Sequence, residues 1–259
     1  MAKDDIIRWA DIPAALGLLT RLPIRVDTDA AQARGARAAW AWPLAGAVVG
    51  VIAAVAGALA LWLDLPHSVA AVVVLAVQIV VTGAMHEDGL ADSADGLWGG
   101  WDKVRRLDIM KDSQIGTYGV LALVLSVGLR WAALSSLIGL GWLWPAVILA
   151  AVLSRLAVVG LMHALPPARI GGLSRSVGRP PRQTLALACG IGLGAALIWV
   201  GPWALALTLT VGGVATGWAM IARSKIGGQT GDILGAAQQL AEITVLLTLL
   251  GLVAWHADR

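Results

Sequence analysis

Four carboxylates fall within nine residues in the run His86-Glu87-Asp88-Gly89-Leu90-Ala91-Asp92-Ser93-Ala94-Asp95-Gly96. On a helix, Asp88, Asp92 and Asp95 stand at i, i+4 and i+7 and share one face. Three like charges so placed repel one another, and protons or a cation must neutralise them. A divalent metal does so. Carboxylate oxygens with no Cys or multi-His cluster beside them suit Mg²⁺ or Mn²⁺ better than Zn²⁺. The metal-ligand candidates are therefore Glu87, Asp88, Asp92 and Asp95. The competing reading is a solvated acidic helix end. Against it, these acids begin where an apolar span finishes, the end at which the helix dipole disfavours them. They are also interleaved with Gly89, Ala91, Ser93, Ala94 and Gly96 instead of Lys and Arg, which leaves room for a phosphate or a neighbouring helix. Gly99 and Gly100 end the element.

Two further stretches carry the complementary charge. Lys103, Arg105, Arg106 and Lys111 lie on a short helical segment leading into Asp112-Ser113-Gln114-Ile115-Gly116-Thr117. The second stretch is Lys225-Ile226-Gly227-Gly228-Gln229-Thr230-Gly231-Asp232. Glycine-rich turns expose backbone N–H groups to phosphate oxygens, and neighbouring lysines supply charge. The substrate-contact candidates are Lys111, Asp112, Ser113, Gly116, Lys225, Gly227, Gly228, Thr230 and Gly231, with Asp232 a further carboxylate brought from another helix. Alone, either turn is most often just a loop; sharing one side of the molecule with the acidic run gives them weight. His86, a single histidine at a helix end, is more often a hydrogen-bonded interfacial residue than a ligand or base.

Apolar helices must position these residues. The chain is 58% hydrophobic and only 14% charged, with a mean hydropathy of +0.79. That exceeds what a water-soluble domain of this length carries. A span of about 30 Å of hydrocarbon needs roughly 20 apolar residues at 1.5 Å each. Seven stretches meet or approach this, at 40–63, 69–85, 117–138, 142–165, 184–200, 203–222 and 239–255. Tryptophans such as Trp40, Trp62, Trp142 and Trp203 stand near their ends, where an indole prefers the headgroup layer. The segment 9–24, broken by Pro13 and Pro23 and flanked by arginines, reads as an interfacial or re-entrant helix. The fold class is thus an all-α polytopic transmembrane bundle of about seven spans. It forms one integral membrane domain over 1–259, with an N-terminal arm at 1–38 and the acidic motif and basic loop at 86–116. One cysteine, Cys189, excludes an internal disulfide or thiolate cluster.

Threading the spans alternately puts the arm, with Lys3, and the loops around 86–116, 166–183 and 223–238 on one side. The opposite connections carry no Lys or Arg before Arg259. The positive-inside rule makes the charged side cytoplasmic. The pI near 9.5 then reflects topology and anionic lipid, with no nucleic-acid partner. Arg130 and Arg155 fall within spans, where a charge is costly. Snorkelling and a functional role weigh equally for Arg130; Arg155 lies deeper and leans toward a partner. Glu242, in the last span, is a candidate for pairing with one of them.

At these residues the sequence resembles the cobalamin synthase family, the adenosylcobinamide-GDP ribazoletransferases. The resemblance rests on Leu19-Thr20-Arg21-Leu22-Pro23, residues 86–96, Ile109-Met110-Lys111-Asp112-Ser113 with Gly116-Thr117, and residues 227–236. These blocks span most of the chain in family order. Glu87 departs from the family's form, in which an apolar residue often follows the histidine. The resemblance implies a multi-pass enzyme of the cytoplasmic (inner) membrane with its site on the cytoplasmic side. It implies that adenosylcobinamide-GDP and α-ribazole, or α-ribazole 5'-phosphate, are converted with Mg²⁺ into adenosylcobalamin or its 5'-phosphate plus GMP.

In that reaction a ribose hydroxyl attacks the phosphorus attached to cobinamide, and charge spreads over non-bridging and leaving oxygens. The implied roles are metal binding for Asp88, Asp92, Asp95 and Asp232, and orientation or deprotonation of the hydroxyl by Asp95 or else Asp92. Lys111, Lys225 and the glycine-rich backbone would contact diphosphate or departing GMP. Homo-oligomer formation stays open. A CDP-alcohol phosphotransferase is the nearest alternative, but Asp88-Gly89-Leu90-Ala91 is followed by Asp92 where that family has arginine. A cation transporter would place its acids near mid-membrane and show two-half symmetry, and neither is visible.

Overall fold

The computed structural model describes residues 5–257, with side chains through Ala254. The charges at Lys3 and Arg259 lie outside the described residues. Twelve α-helices are described, and no β-strand is present among the described residues. The N-terminal arm holds α1 (Asp11–Leu19), α2 (Thr28–Arg34) and a 3-10 stretch, Gly35–Ala41. Then come α3 (Trp42–Trp62), α4 (His67–Thr82), α5 (Met85–Gly99), α6 (Lys103–Ile109), α7 (Thr117–Gly139) and α8 (Leu143–Ala164). The chain finishes with α9 (Leu173–Val177), α10 (Arg182–Val200), α11 (Ala204–Ile226) and α12 (Gly231–Ala257).

By length and hydropathy five helical stretches are able to cross a membrane, or six with the bent pair α4 and α5. One of the five, Arg182–Ile226, is 45 residues long. At 1.5 Å per residue it would be about twice the hydrocarbon thickness. The 3-10 turn Gly201–Trp203 divides it into α10 and α11, which pack on each other and on α8. Divided there, α3, α4, α7, α8, α10, α11 and α12 correspond to the seven apolar stretches. The N-terminal helix is shorter than the segment 9–24: only Asp11–Leu19 is helical, and the chain from Thr20 through Pro23 has no regular secondary structure.

At the centre, α8 is buried nearly all round, and α3 crosses it at Gly46 and Gly50, a small-xxx-small pair. A Cβ added at Gly46 would collide with the Ala151 backbone carbonyl, whose carbon would stand 2.9 Å away, so only glycine admits this approach. Where lipid offers no hydrophobic force between helices, such close contact supplies dispersion attraction instead.

The predicted span 69–85 does not continue into the acidic motif. Gly83 (φ 66°) and Ala84 (φ 57°) both adopt the left-handed conformation, and α5 leaves α4 at 87°. A glycine reaches this region freely; alanine does so at a cost of about 1 kcal/mol or more, so surrounding structure must hold it. The arm provides that support: the Arg21 N–H donates to Val81 O at 2.7 Å, and its side chain lies over Gly83. The acids thus belong to a separate helix along the charged rim. Glu87 and Asp88 occupy its first turn, where the dipole favours them, which corrects the expectation that they sit at a span's C-terminal end.

Candidate active site

The rim helix α5 rests across the start of α12. The contact is made by glycines: a Cβ added at Gly89 would stand 2.9 Å from Asp232 O and 3.1 Å from Gly235 Cα. One added at Gly235 would stand 3.2 Å from Gly89 Cα. This crossing carries Asp88 and Asp92 of α5 to the side of Asp232. The last helix begins at Gly231, eight residues before the predicted 239, which puts Asp232 in its first turn. Thr230 caps it, accepting from Ile233 N at 3.3 Å and donating to Asp232 Oδ2 at 3.1 Å.

The carboxylates sense one another. Burial first, then the charges of Asp88, Asp232 and Asp95, push the Asp92 carboxyl up to about 7, with Arg169 opposing. Asp88 is exposed and Asp92 half-buried. Arg169 was not among the candidates, yet its Nη2 lies 3.2 Å from Asp232 Oδ2 while its Nη1 is buried without a partner. Its only signal in the sequence was a basic residue following Pro166-Pro167. Residues 166–168 are tied to the glycine-rich loop by Gln229 N to Pro166 O (2.9 Å) and Ala168 N to Gln229 O (2.8 Å).

Two predicted members of the cluster do other work. Both oxygens of Asp95 accept backbone N–H groups at the start of α7, from Gly116 at 2.7 Å and Gly119 at 2.9 Å. Asp95 thereby caps α7. Glu87 faces the bundle interior, where Arg130 Nη1 donates to its Oε1 at 2.9 Å and Gln239 Nε2 does so at 3.1 Å. Arg130, 1% exposed, also reaches Glu242 at 3.0 Å and Gln239 at 2.8 Å. Arg155 Nη1 lies 3.9 Å from the other Glu242 oxygen. Arg130 is therefore not a snorkelling residue. Two arginines and two glutamates balance inside the bundle and join α5, α7, α8 and α12.

The substrate-contact candidates divide in the same way. Lys111, Asp112 and Ser113 are exposed on the connection before α7, with Asp112 accepting from Gln114 N at 3.2 Å. Gly116 spends its N–H on Asp95. Lys225 Nζ donates to Leu97 O at 2.9 Å and lies 5.0 Å over the Trp98 ring, so it caps the C-terminus of α5. Gly227 (φ 79°) ends α11 in the left-handed conformation, and Gly228 abuts the Pro166 carbonyl. Gly231 is exposed, with nothing within 4 Å of an added Cβ. The glycine-rich loop thus closes largely on itself and on residues 166–168.

Among the described residues no three His, Cys, Asp or Glu side chains already stand in a metal-holding arrangement. The donor chemistry still fits a hard divalent cation: Asp88, Asp92 and Asp232 offer only carboxylate oxygens, and the repulsion felt at Asp92 is what such an ion relieves.

A family model described as cobalamin-5-phosphate synthase matches residues 11–250. The chain belongs to this family. Relatives of the cobalamin-5-phosphate synthase family named adenosylcobinamide-GDP ribazoletransferase cover most of its length. The protein of Bradyrhizobium diazoefficiens is 45% identical, with 92% of each chain covered. That of Allorhizobium ampelinum is 44% identical, covering 92% of this chain and 95% of its own. That of Brucella canis is 42% identical over the same shares. No solved structure matches.

Proposed function

We propose that the chain is an adenosylcobinamide-GDP ribazoletransferase of cobalamin biosynthesis. It transfers adenosylcobinamide phosphate from adenosylcobinamide-GDP to α-ribazole, or α-ribazole 5'-phosphate, and releases GMP. The observation that carries this reading is the Gly89–Gly235 crossing, which sets Asp88 and Asp92 beside Asp232. The family assignment does not favour a phospholipid phosphotransferase or a transporter.

In the reaction an O–P bond forms between a ribose oxygen and the phosphorus attached to cobinamide, and the bond from that phosphorus to the GMP oxygen breaks. Asp88 and Asp232 are the proposed holders of Mg²⁺. The bound ion would supply positive charge to the non-bridging and leaving oxygens. Asp92 orients the attacking hydroxyl and takes its proton; among the described residues no protein donor engages it, unlike Asp95. Arg169 keeps Asp232 in place and presents an unpartnered N–H for a phosphate oxygen. Lys111 and Ser113 border the same rim from the connection before α7.

The charged rim is proposed to face the cytoplasm from the inner membrane, since the long basic loops converge there. Purified protein in lipid nanodiscs, given both substrates and Mg²⁺, is expected to release GMP only when both substrates are present. GMP release from adenosylcobinamide-GDP alone at the same rate would reject the transferase reading.

A further inference from the structure

Behind the α5–α12 crossing lies a cavity of about 80 Å³ that the reaction scheme does not use. Trp42, Met162, Val158 and Leu234 form apolar walls, and His86 and Ser174 are polar side chains in its lining. Gly231 and Gly235, which flank Asp232, line its edge, so it adjoins the carboxylate cluster. A second cavity, about 530 Å³, shares Leu18, Trp42, Leu173 and Val177 with the first and extends beneath the N-terminal arm.

His86 is the informative residue. It is only 4% exposed, and no hydrogen-bonding partner engages it among the described residues. Its ring lines the cavity and is not engaged by a protein group, so a ligand atom placed there is able to take its hydrogen bond.

We propose that this cavity binds the heterocyclic base of the acceptor nucleoside, a fused-ring benzimidazole, with the His86 ring N–H donating to the base's unsubstituted ring nitrogen. This rests on the transferase reading and specifies which substrate sits where. A benzimidazole offers a flat apolar body and one acceptor nitrogen, which matches apolar walls with few polar groups. Guanine carries an amino group and a carbonyl that these walls would leave unpaired, at a cost of about 1–3 kcal/mol each. The donor's guanine therefore belongs elsewhere, on the open side of the rim. With the base held behind Gly231 and Gly235, its ribose emerges beside Asp92 and Asp232.

Equilibrium binding in nanodiscs, measured by calorimetry with each substrate alone, tests this without turnover. His86→Leu is expected to weaken α-ribazole binding at least tenfold and leave adenosylcobinamide-GDP binding within twofold, while His86→Gln, which keeps a donor, recovers most of the loss. Leu173→Trp, at an exposed position of α9 that lines both cavities, guards against misfolding at His86 and is expected to block α-ribazole equally. Unchanged α-ribazole affinity in both His86→Leu and Leu173→Trp overturns the inference, as does a parallel loss for both substrates. The two failures are separable. Selective loss of α-ribazole binding in a protein that releases no GMP sinks the transferase reading alone; normal GMP release with unchanged α-ribazole KM in both variants sinks the cavity assignment alone.

Discussion

Arg130 donates to Glu87 at 2.9 Å inside the bundle, and Glu87 is the residue directly before Asp88. The same guanidinium reaches Glu242 of α12 at 3.0 Å, so one side chain of α7 fixes both helices that carry the rim carboxylates. Removing it would leave two buried carboxylates with only Arg155, 3.9 Å from Glu242, to offset their charge. Arg130→Met is expected to cost about 3–5 kcal/mol. Arg130→Lys should fall between, because an ammonium cannot reproduce the planar fork. Thermal unfolding in detergent checks this; a methionine variant as stable as the parent would contradict the network's role.

The Gly89–Gly235 crossing admits no Cβ without displacement. Gly89→Ala would put a methyl 2.9 Å from Asp232 O, forcing α5 away from α12. A destabilisation of about 1–3 kcal/mol is expected from overpacking. Turnover should fall at least tenfold, because the carboxylates separate with the helices. Equal turnover in Gly89→Ala would show that their spacing does not matter.

Asp92 and Asp95 are expected to fail differently. Asp92→Asn should lower kcat by at least a hundredfold with little change in melting temperature. Asp95→Asn gives up an acceptor for the N–H groups of Gly116 and Gly119 and should loosen the start of α7, lowering melting temperature and turnover together. Hydrogen exchange at residues 116–120 distinguishes the two variants: faster exchange is expected only in Asp95→Asn.

Much of this was legible in advance. The all-α bundle followed from hydropathy, and the clustering of Asp88, Asp92 and Asp232 on one side followed from the spans and the family blocks. What could not be read depends on contacts distant in sequence. Asp95 shares a helical face with Asp88, but seven residues along a helix is about 10 Å of rise, which carries Asp95 to the start of α7 instead of to Asp232. Glu87 looked like its neighbours, because nothing local says that Arg130 stands opposite. The break at Gly83–Ala84 was hidden by an apolar run that passes through it, since hydropathy does not register backbone handedness. Arg169 was one of many basic residues until α12 was seen to begin at Gly231.

The arm carries its own pH dependence. Burial raises the Asp11 carboxyl, but hydrogen bonds from Arg34, Trp40 and the Arg8 N–H prevail and hold it below its ordinary value of 3.8. With the folded value depressed, the stabilisation is present above the unfolded value near 3.8 and is lost as pH falls through the folded one. The melting-temperature difference between the parent and Asp11→Asn should hold steady from pH 7 to pH 5 and shrink progressively as pH falls below about 4. A difference that is no smaller at pH 3 than at pH 5 would contradict this origin.

The central claim is that carboxylates of α5 and α12 jointly bind the divalent ion used in transfer. Mn²⁺ titration followed by electron paramagnetic resonance, with adenosylcobinamide-GDP present, tests it most directly on the parent, Asp88→Asn and Asp232→Asn. The account predicts tight binding to the parent and at least tenfold weaker binding to each variant, although the substitutions lie on different helices. Parent-like Mn²⁺ affinity in both would contradict it.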